Sequence, residues 1–173
     1  LRRPRLSKIL VALATNQAEY IRALVFLEQA FSGVSGFELR IRSHPTISVE
    51  PALKAASLPS TEFFHLSSGK LQEDLYWADV VLYASSTVGL EAISLGIPVI
   101  YLDLGSFLDE DPLLGWGGFK WPVTDPSALV DTIIRIEAIP DDEFRQLQRD
   151  GQEYAAAYLE PVTEEGLLRF LEE

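Results

Sequence analysis

The segment ADVVLYASSTVGLEAISLGIPVI, residues 78–100, determines the expected fold of this chain. An apolar run ends at Ala84, and the hydroxyl-rich turn Ser85-Ser86-Thr87 follows it. A helical stretch then ends at Gly96, before a second apolar run. Short apolar runs on either side of a helix are typical of two parallel strands buried on both faces. The segment therefore predicts a β-α-β unit.

The same alternation of strand and helix patterns extends along the rest of the chain. It predicts strands over residues 7–14, 37–43, 62–66, 79–84, 98–103 and 119–123, and helices over 17–31, 49–56, 70–78, 86–95, 127–138, 142–159 and 163–171. Such alternation implies crossover connections and a parallel sheet. We predict an α/β, Rossmann-like parallel sheet of about six strands, with helices on both faces and C-terminal helices closing the domain. Residues 8–173 form this domain, and residues 1–7 form a linker or tail.

Composition limits the possible functions. The 173 residues are 47% hydrophobic and 23% charged, which is typical of a soluble globular domain. A net charge of −12 would repel nucleic-acid backbones, so we expect no nucleic-acid partner. No apolar run approaches the roughly 20 residues that a membrane-spanning helix needs. The absence of cysteine and the presence of only two histidines argue against a metal site.

The ends of the sequence suggest a larger protein. The chain begins with Leu and contains no methionine, so we expect it to be an excised piece of a larger protein. It shows no charged and apolar leader sequence, and we therefore expect a cytoplasmic location.

The turn Ser85-Ser86-Thr87 is the first candidate site. Ligands of parallel α/β sheets bind beyond the carboxyl ends of the strands. A helix that begins here would offer free backbone N–H groups and a partial positive charge to an anion such as phosphate. Ordinary N-capping explains one hydroxyl but not three in a row. Gly89, which has no side chain, would leave room for the anion to approach.

Two further residues are candidates for the same edge of the sheet. His44 precedes Pro45 at the end of the second strand, where it could donate a hydrogen bond to a phosphoryl oxygen; alternatively, the pair only ends the strand. Glu91 is out of register for a capping box, because Val88 stands three residues before it. It could accept hydrogen bonds from a ribose diol, or be a solvated helix residue. Arg42 alternates away from Ile41 and could join His44 at this site, but we expect it to be a surface arginine.

Two polar segments have simpler explanations. His65 and Lys70 flank Ser67-Ser68-Gly69, where ordinary turn chemistry suffices, although the loop could also contact a nucleobase. The acidic triplet Asp109-Glu110-Asp111 lacks the regular spacing of a cation site, so we expect a solvated loop.

Taken together, these motifs carry a family resemblance. The chain resembles the C-terminal, donor-binding half of a GT-B glycosyltransferase, an architecture of two Rossmann-like domains. The resemblance covers nearly all of residues 7–171 and is strongest from Ala78 to Val99. The pairing of His44-Pro45 with Ser85-Ser86 is similar to bacterial surface-polysaccharide transferases with His-Pro and Ser-Ser motifs.

The resemblance implies that the chain binds the nucleotide-sugar donor of a glycosyltransferase in surface polysaccharide or glycolipid synthesis. It implies phosphate contacts from His44, Ser85, Ser86 and Thr87, and a ribose contact from Glu91. The nucleotide-sugar is a substrate, so no cofactor is expected. The acceptor and catalytic base would belong to a missing N-terminal domain, and the fragment alone would be inactive. A nucleotide-sugar epimerase domain and a non-enzymatic Rossmann-like interaction domain remain alternatives.

Overall fold

A computed structural model describes residues 6–56, 64–106, 110–113 and 115–159. The chain folds around a six-stranded sheet in which every pair of neighbouring strands is parallel. The strands are β1 (Lys8–Ala12), β2 (Glu38–Arg42), β3 (His65–Leu66), β4 (Val80–Tyr83), β5 (Val99–Leu102) and β6 (Lys120–Val123). The predicted Rossmann-like α/β fold is confirmed.

The strand order β3-β2-β1-β4-β5-β6 reverses direction at β1. Ile9 of β1 pairs with Leu39 of β2 on one side and with Val80 of β4 on the other. The connections leaving β1 and β4 therefore diverge at this point, which opens a crevice at the carboxyl edge of the sheet. The segment 78–100 contains β4 and the start of β5, which lie on one side of that crevice.

Helices form both outer layers, as predicted. They are α1 (Gln17–Phe31), α2 (Glu50–Ala55), α3 (Leu71–Trp77), α4 (Val88–Ser94), α5 (Leu129–Ala138) and α6 (Asp141–Tyr158), with a short 3₁₀ helix at Pro126–Ala128. Helix α1 packs against α2, α5 and the 3₁₀ helix, whereas α4 packs against α6. Right-handed crossovers from β1 to β2 and from β4 to β5 account for this division.

The core lies where the sequence is continuously apolar. Strand β4 is buried at every position, and β1 is buried at every position after Lys8. Strand β2 alternates between buried and more exposed residues, in agreement with its alternating sequence. The predicted helix over residues 163–171 lies outside the described residues, as do residues 62 and 63 of the predicted third strand.

One expectation about the loop after β5 was wrong. Asp111 is not solvated, because its carboxylate is buried and pairs with Lys120 Nζ at 2.6 Å. The Tyr83 hydroxyl donates a hydrogen bond of 2.8 Å to the same carboxylate, and the Leu113 N–H donates another of 2.9 Å. Tyr83 on β4 and Lys120 on β6 thereby attach the loop to the sheet. Asp109 lies outside the described residues.

Candidate functional site

The crevice beside β1 contains a cavity of about 210 Å³. Its walls come from the carboxyl ends of β1 and β2 and from the segment that joins β4 to α4. Four of the five residues predicted from the sequence line it, namely His44, Ser86, Thr87 and Glu91. His44 is far in the sequence from Ser86, Thr87 and Glu91, and the strand order brings the end of β2 close to the end of β4.

The backbone of His44 is held by a buried tyrosine. Tyr20 Oη donates a hydrogen bond of 2.9 Å to the carbonyl of Ala14 and accepts one of 2.7 Å from the His44 N–H. The hydroxyl group thereby joins the chain beyond β1 to the chain beyond β2. Burial raises the pKa of the Tyr20 phenol; the His44 N–H opposes this rise and the nearby Glu19 adds to it. The phenol therefore stays neutral at physiological pH and keeps both hydrogen bonds.

The imidazole of His44 has one nitrogen engaged locally. Its Nδ1 lies 2.8 Å from Thr46 Oγ1 and accepts a hydrogen bond of 3.3 Å from the Thr46 N–H. A neutral imidazole that accepts at Nδ1 carries its proton on Nε2. Within the described part of the chain Nε2 has no partner, so this ring can donate a hydrogen bond to a ligand in the cavity.

Arg42 also lines this cavity, which corrects the expectation of a plain surface arginine. Its Nη1 donates hydrogen bonds to Asp74 Oδ2 at 2.8 Å and to the Gly69 carbonyl at 2.9 Å. Nη2 and Nε have no partner among the described residues, so they can still bind an anion. The alternation of apolar and charged residues in β2 predicts that Arg42 lies on the less buried face of the strand. It gives no sign of the contact with Asp74 on α3.

Asp74 holds two arginines at once. Its carboxylate accepts hydrogen bonds from Arg40, at 2.9 Å, from Arg42 and from the Ser67 hydroxyl. Burial alone would raise the pKa of Asp74, but these donors together lower it below its usual value. With one carboxylate against two guanidinium groups, the cluster has a net charge of +1.

The turn after β4 offers less support to an anion than the start of a longer helix would. Helix α4 has only seven residues, and Ser86 Oγ accepts a hydrogen bond of 3.3 Å from its first amide, that of Val88. The amides of Ser86 and Thr87 have no partner within the described ranges. The groups that are available to an anion are therefore these two backbone amides together with Arg42 and His44.

Gly89 has a different role from the predicted one. It is buried, and a Cβ atom there would lie 3.0 Å from two ring atoms of Tyr83. The missing side chain therefore allows close packing of α4 on β4 rather than the approach of a ligand.

Ser85 is separated from the other four predicted residues. Its hydroxyl lies 2.5 Å from Oε2 of Glu19 and lines a different, smaller cavity beyond β4 and β5. Sequence analysis overlooked Glu19. Its spacing from the N-cap Asn16 matches a capping box, which would have suggested only a local role.

A second cavity, of about 420 Å³, adjoins the first. The two cavities share Ser43, His44 and Pro45. The larger one continues to Leu66 at the end of β3 and to Ser67 and Ser68, which follow it. Together they form a cleft along the carboxyl ends of β1, β2 and β3. Its mixture of apolar and hydroxyl groups is typical of small-molecule sites.

Across the described ranges, no group of three or more His, Asp or Glu side chains is arranged to hold a metal ion. None of the helices found there combines the length and the apolar character needed to cross a membrane.

Comparisons with known proteins identify the fold. No protein-family model matches the sequence, and no curated protein matches it. Among solved structures, spinosyn rhamnosyltransferase SpnG is similar with a TM-score of 0.61 and 18% identity, over 99% of this chain and 46% of that chain. A putative UDP-N-acetylglucosamine 2-epimerase from Listeria monocytogenes has a TM-score of 0.57 and 18% identity, over 87% of this chain and 42% of that chain.

A third similar structure is a separate domain, the C-terminal CMP-Kdo binding domain of WaaA from Acinetobacter baumannii. It has a TM-score of 0.54 and 15% identity, over 86% of this chain and 89% of that chain. The chain thus has the Rossmann-like fold found in GT-B glycosyltransferases. It spans less than half of the rhamnosyltransferase and the epimerase, but most of the WaaA domain.

Proposed function

We propose that this chain binds the nucleotide-sugar donor of a glycosyltransferase acting in surface polysaccharide or glycolipid synthesis. One observation carries the proposal: Arg42, His44, Ser86, Thr87 and Glu91 line a single cavity where the strand order reverses. Guanidinium, imidazole and free amides suit a phosphate, and the carboxylate suits a ribose diol. The adjoining cavity beside Ser67 and Ser68 has room for the base.

In the intact enzyme, the nucleotide phosphate gains negative charge as the sugar departs. Fixed donors around the cavity would stabilise that charge in the transition state. Asp74 holds Arg42 and Tyr20 holds the His44 backbone before any ligand arrives, so little reorganisation is needed. A second domain would supply the acceptor and the catalytic base.

The proposal is tested by titrating the 173-residue chain with CMP, UDP and CDP in a calorimeter. We expect weak binding of at least one nucleotide, and a loss of about tenfold in affinity for H44A, for which H65A is the matched control. His65 is exposed on β3 and lines neither half of the cleft. Absence of binding by all three nucleotides would contradict the proposal and favour a non-enzymatic interaction domain.

The fold similarity to an epimerase supports a second candidate, a nucleotide-sugar epimerase domain. Both candidates bind the same class of ligand, so binding does not separate them. Product analysis of the complete polypeptide does: a transferase makes a glycoside and releases nucleotide, whereas an epimerase returns an isomeric sugar.

A further inference from the structure

The carboxylate of Glu19 is buried beside the crevice and only partly used. The residue is 2% exposed, and its Oε2 is occupied by the Ser85 hydroxyl at 2.5 Å. Its Oε1 is inaccessible to solvent and has no hydrogen-bond partner among the described residues. Buried polar atoms are rarely left without a partner, because their desolvation is then uncompensated.

Local structure does not explain this carboxylate. Glu19 is the third residue of α1, where a glutamate usually turns back to the N-cap amide. Here Asn16 caps the helix by accepting hydrogen bonds from the Ala18 and Glu19 amides, but the Glu19 side chain reaches inward to the turn after β4. The helix is therefore capped without the carboxylate.

Glu19 lines the small cavity beyond β4 and β5. The cavity has a volume of about 10 Å³, which is near the space that one water-sized group needs. Its polar lining residues include Ser85, Ser106 and Glu110. The neighbouring cation is Arg22, whose Nη2 donates a hydrogen bond of 3.3 Å to Ser106. Two carboxylates disfavour an anion in this cavity and favour a hydrogen-bond donor.

We propose that Glu19 accepts a hydrogen bond from a hydroxyl group of the sugar carried by the nucleotide. This inference rests on the proposed function and deepens it. The phosphate would bind in the cavity with Arg42 and Ser86, and the adjacent Ser85 leads into the cavity with Glu19. Glu19 is then a determinant of specificity for the transferred group, and it makes no contact with the nucleotide.

The test compares each nucleotide with one of its sugar or polyol conjugates on the 173-residue chain. The pairs are UDP with UDP-N-acetylglucosamine, CMP with CMP-N-acetylneuraminate, and CDP with CDP-glycerol. In wild-type protein we expect at least one conjugate to bind tighter than its nucleotide. E19Q should remove about tenfold of that advantage and leave the affinity for the free nucleotide unchanged. The matched control is E28Q, a carboxamide on the same helix that should alter neither affinity.

Thermal unfolding separates this role from a structural one. If the carboxylate serves a ligand, E19Q should melt at or above the temperature of the wild-type protein, because it removes a buried and incompletely paired charge. Equal affinities for conjugate and nucleotide in all three pairs would overturn the inference and leave the proposed function intact. A lowered melting temperature with equal weakening of nucleotide and conjugate would also overturn it. Absence of all nucleotide binding would remove the proposed function and this inference together.

Discussion

Nη1 of Arg42 donates a hydrogen bond of 2.8 Å to Oδ2 of Asp74, so an acidic residue on α3 fixes a cation on the wall of the β1–β4 crevice. Arg40 binds the other oxygen of the same carboxylate, and its guanidinium lies 4.0 Å above the Trp77 ring. Of these two arginines, only Arg42 lines the cavity. This difference provides a matched pair of variants.

Arg42→Met should weaken nucleotide binding by at least about tenfold, because it removes a charge-assisted contact to phosphate. Arg40→Met removes an equivalent partner of Asp74 but should leave the affinity nearly unchanged. Calorimetric titration measures the affinity, and thermal unfolding measures whether the two variants lose comparable stability. Equal loss of affinity in both variants would show that Arg42 acts only through the stability of the cluster.

Asp74 should make stability depend on pH. Its pKa in the folded chain is below the ordinary value of 3.8, because the donors around it outweigh its burial. Its contribution to the free energy of unfolding is therefore complete above about that pH, and it is lost as the pH falls through the folded pKa. D74N should cost about 3 kcal/mol at pH 7. Urea unfolding of D74N and wild type between pH 2 and 7 should show the difference shrinking at the acid end.

The ion pair between Asp111 and Lys120 should contribute strongly to the attachment of the loop after β5. Lys120→Met leaves a carboxylate buried against Tyr83 without its cation, which should lower the free energy of unfolding by about 3 kcal/mol. The exposed Lys54 provides the control, since Lys54→Met should change stability by less than about 0.5 kcal/mol. Equal urea midpoints for the two variants would contradict this prediction.

Gly89→Ala should destabilise the contact between α4 and β4. The added methyl group would lie 3.0 Å from the Tyr83 ring, which the hydrogen bond to Asp111 keeps in place. Overpacking of this kind costs about 1–3 kcal/mol. Gly117→Ala is the control, because no atom lies within 4 Å of the position of its Cβ. Chemical denaturation of both variants tests the prediction; an unchanged midpoint for Gly89→Ala would show that the ring can move.

Much of the architecture was predictable from local patterns. Strands β1 and β4 are buried on both faces and appear as unbroken apolar runs, and the helices between them have apolar residues at helical spacing. These signals depend only on neighbouring residues. The segment around Asp111 was mistaken for a solvated loop because its partners, Tyr83 and Lys120, lie on separate strands.

The candidate site was predictable in part, because some of its residues form local patterns in the sequence. Polar residues at strand ends are visible in the sequence, and His44, Ser86, Thr87 and Glu91 were found this way. Arg42 was considered but expected at the surface, because its contact with Asp74 is not visible in the sequence. Glu19 was missed, since its contact with Ser85 also forms only across the fold. Charged side chains resemble solvated surface residues until the partner that buries them is known.

Ser85 and Ser86 are consecutive residues, yet they line two different cavities, one with Glu19 and Glu110 and the other with Arg42 and His44. A molecule with a negatively charged end and a hydroxylated end can lie across this bend in one direction only. Reversing it would bring its negative end against carboxylates. In the proposed complex, the peptide unit between Ser85 and Ser86 would therefore set the direction in which a long donor molecule lies.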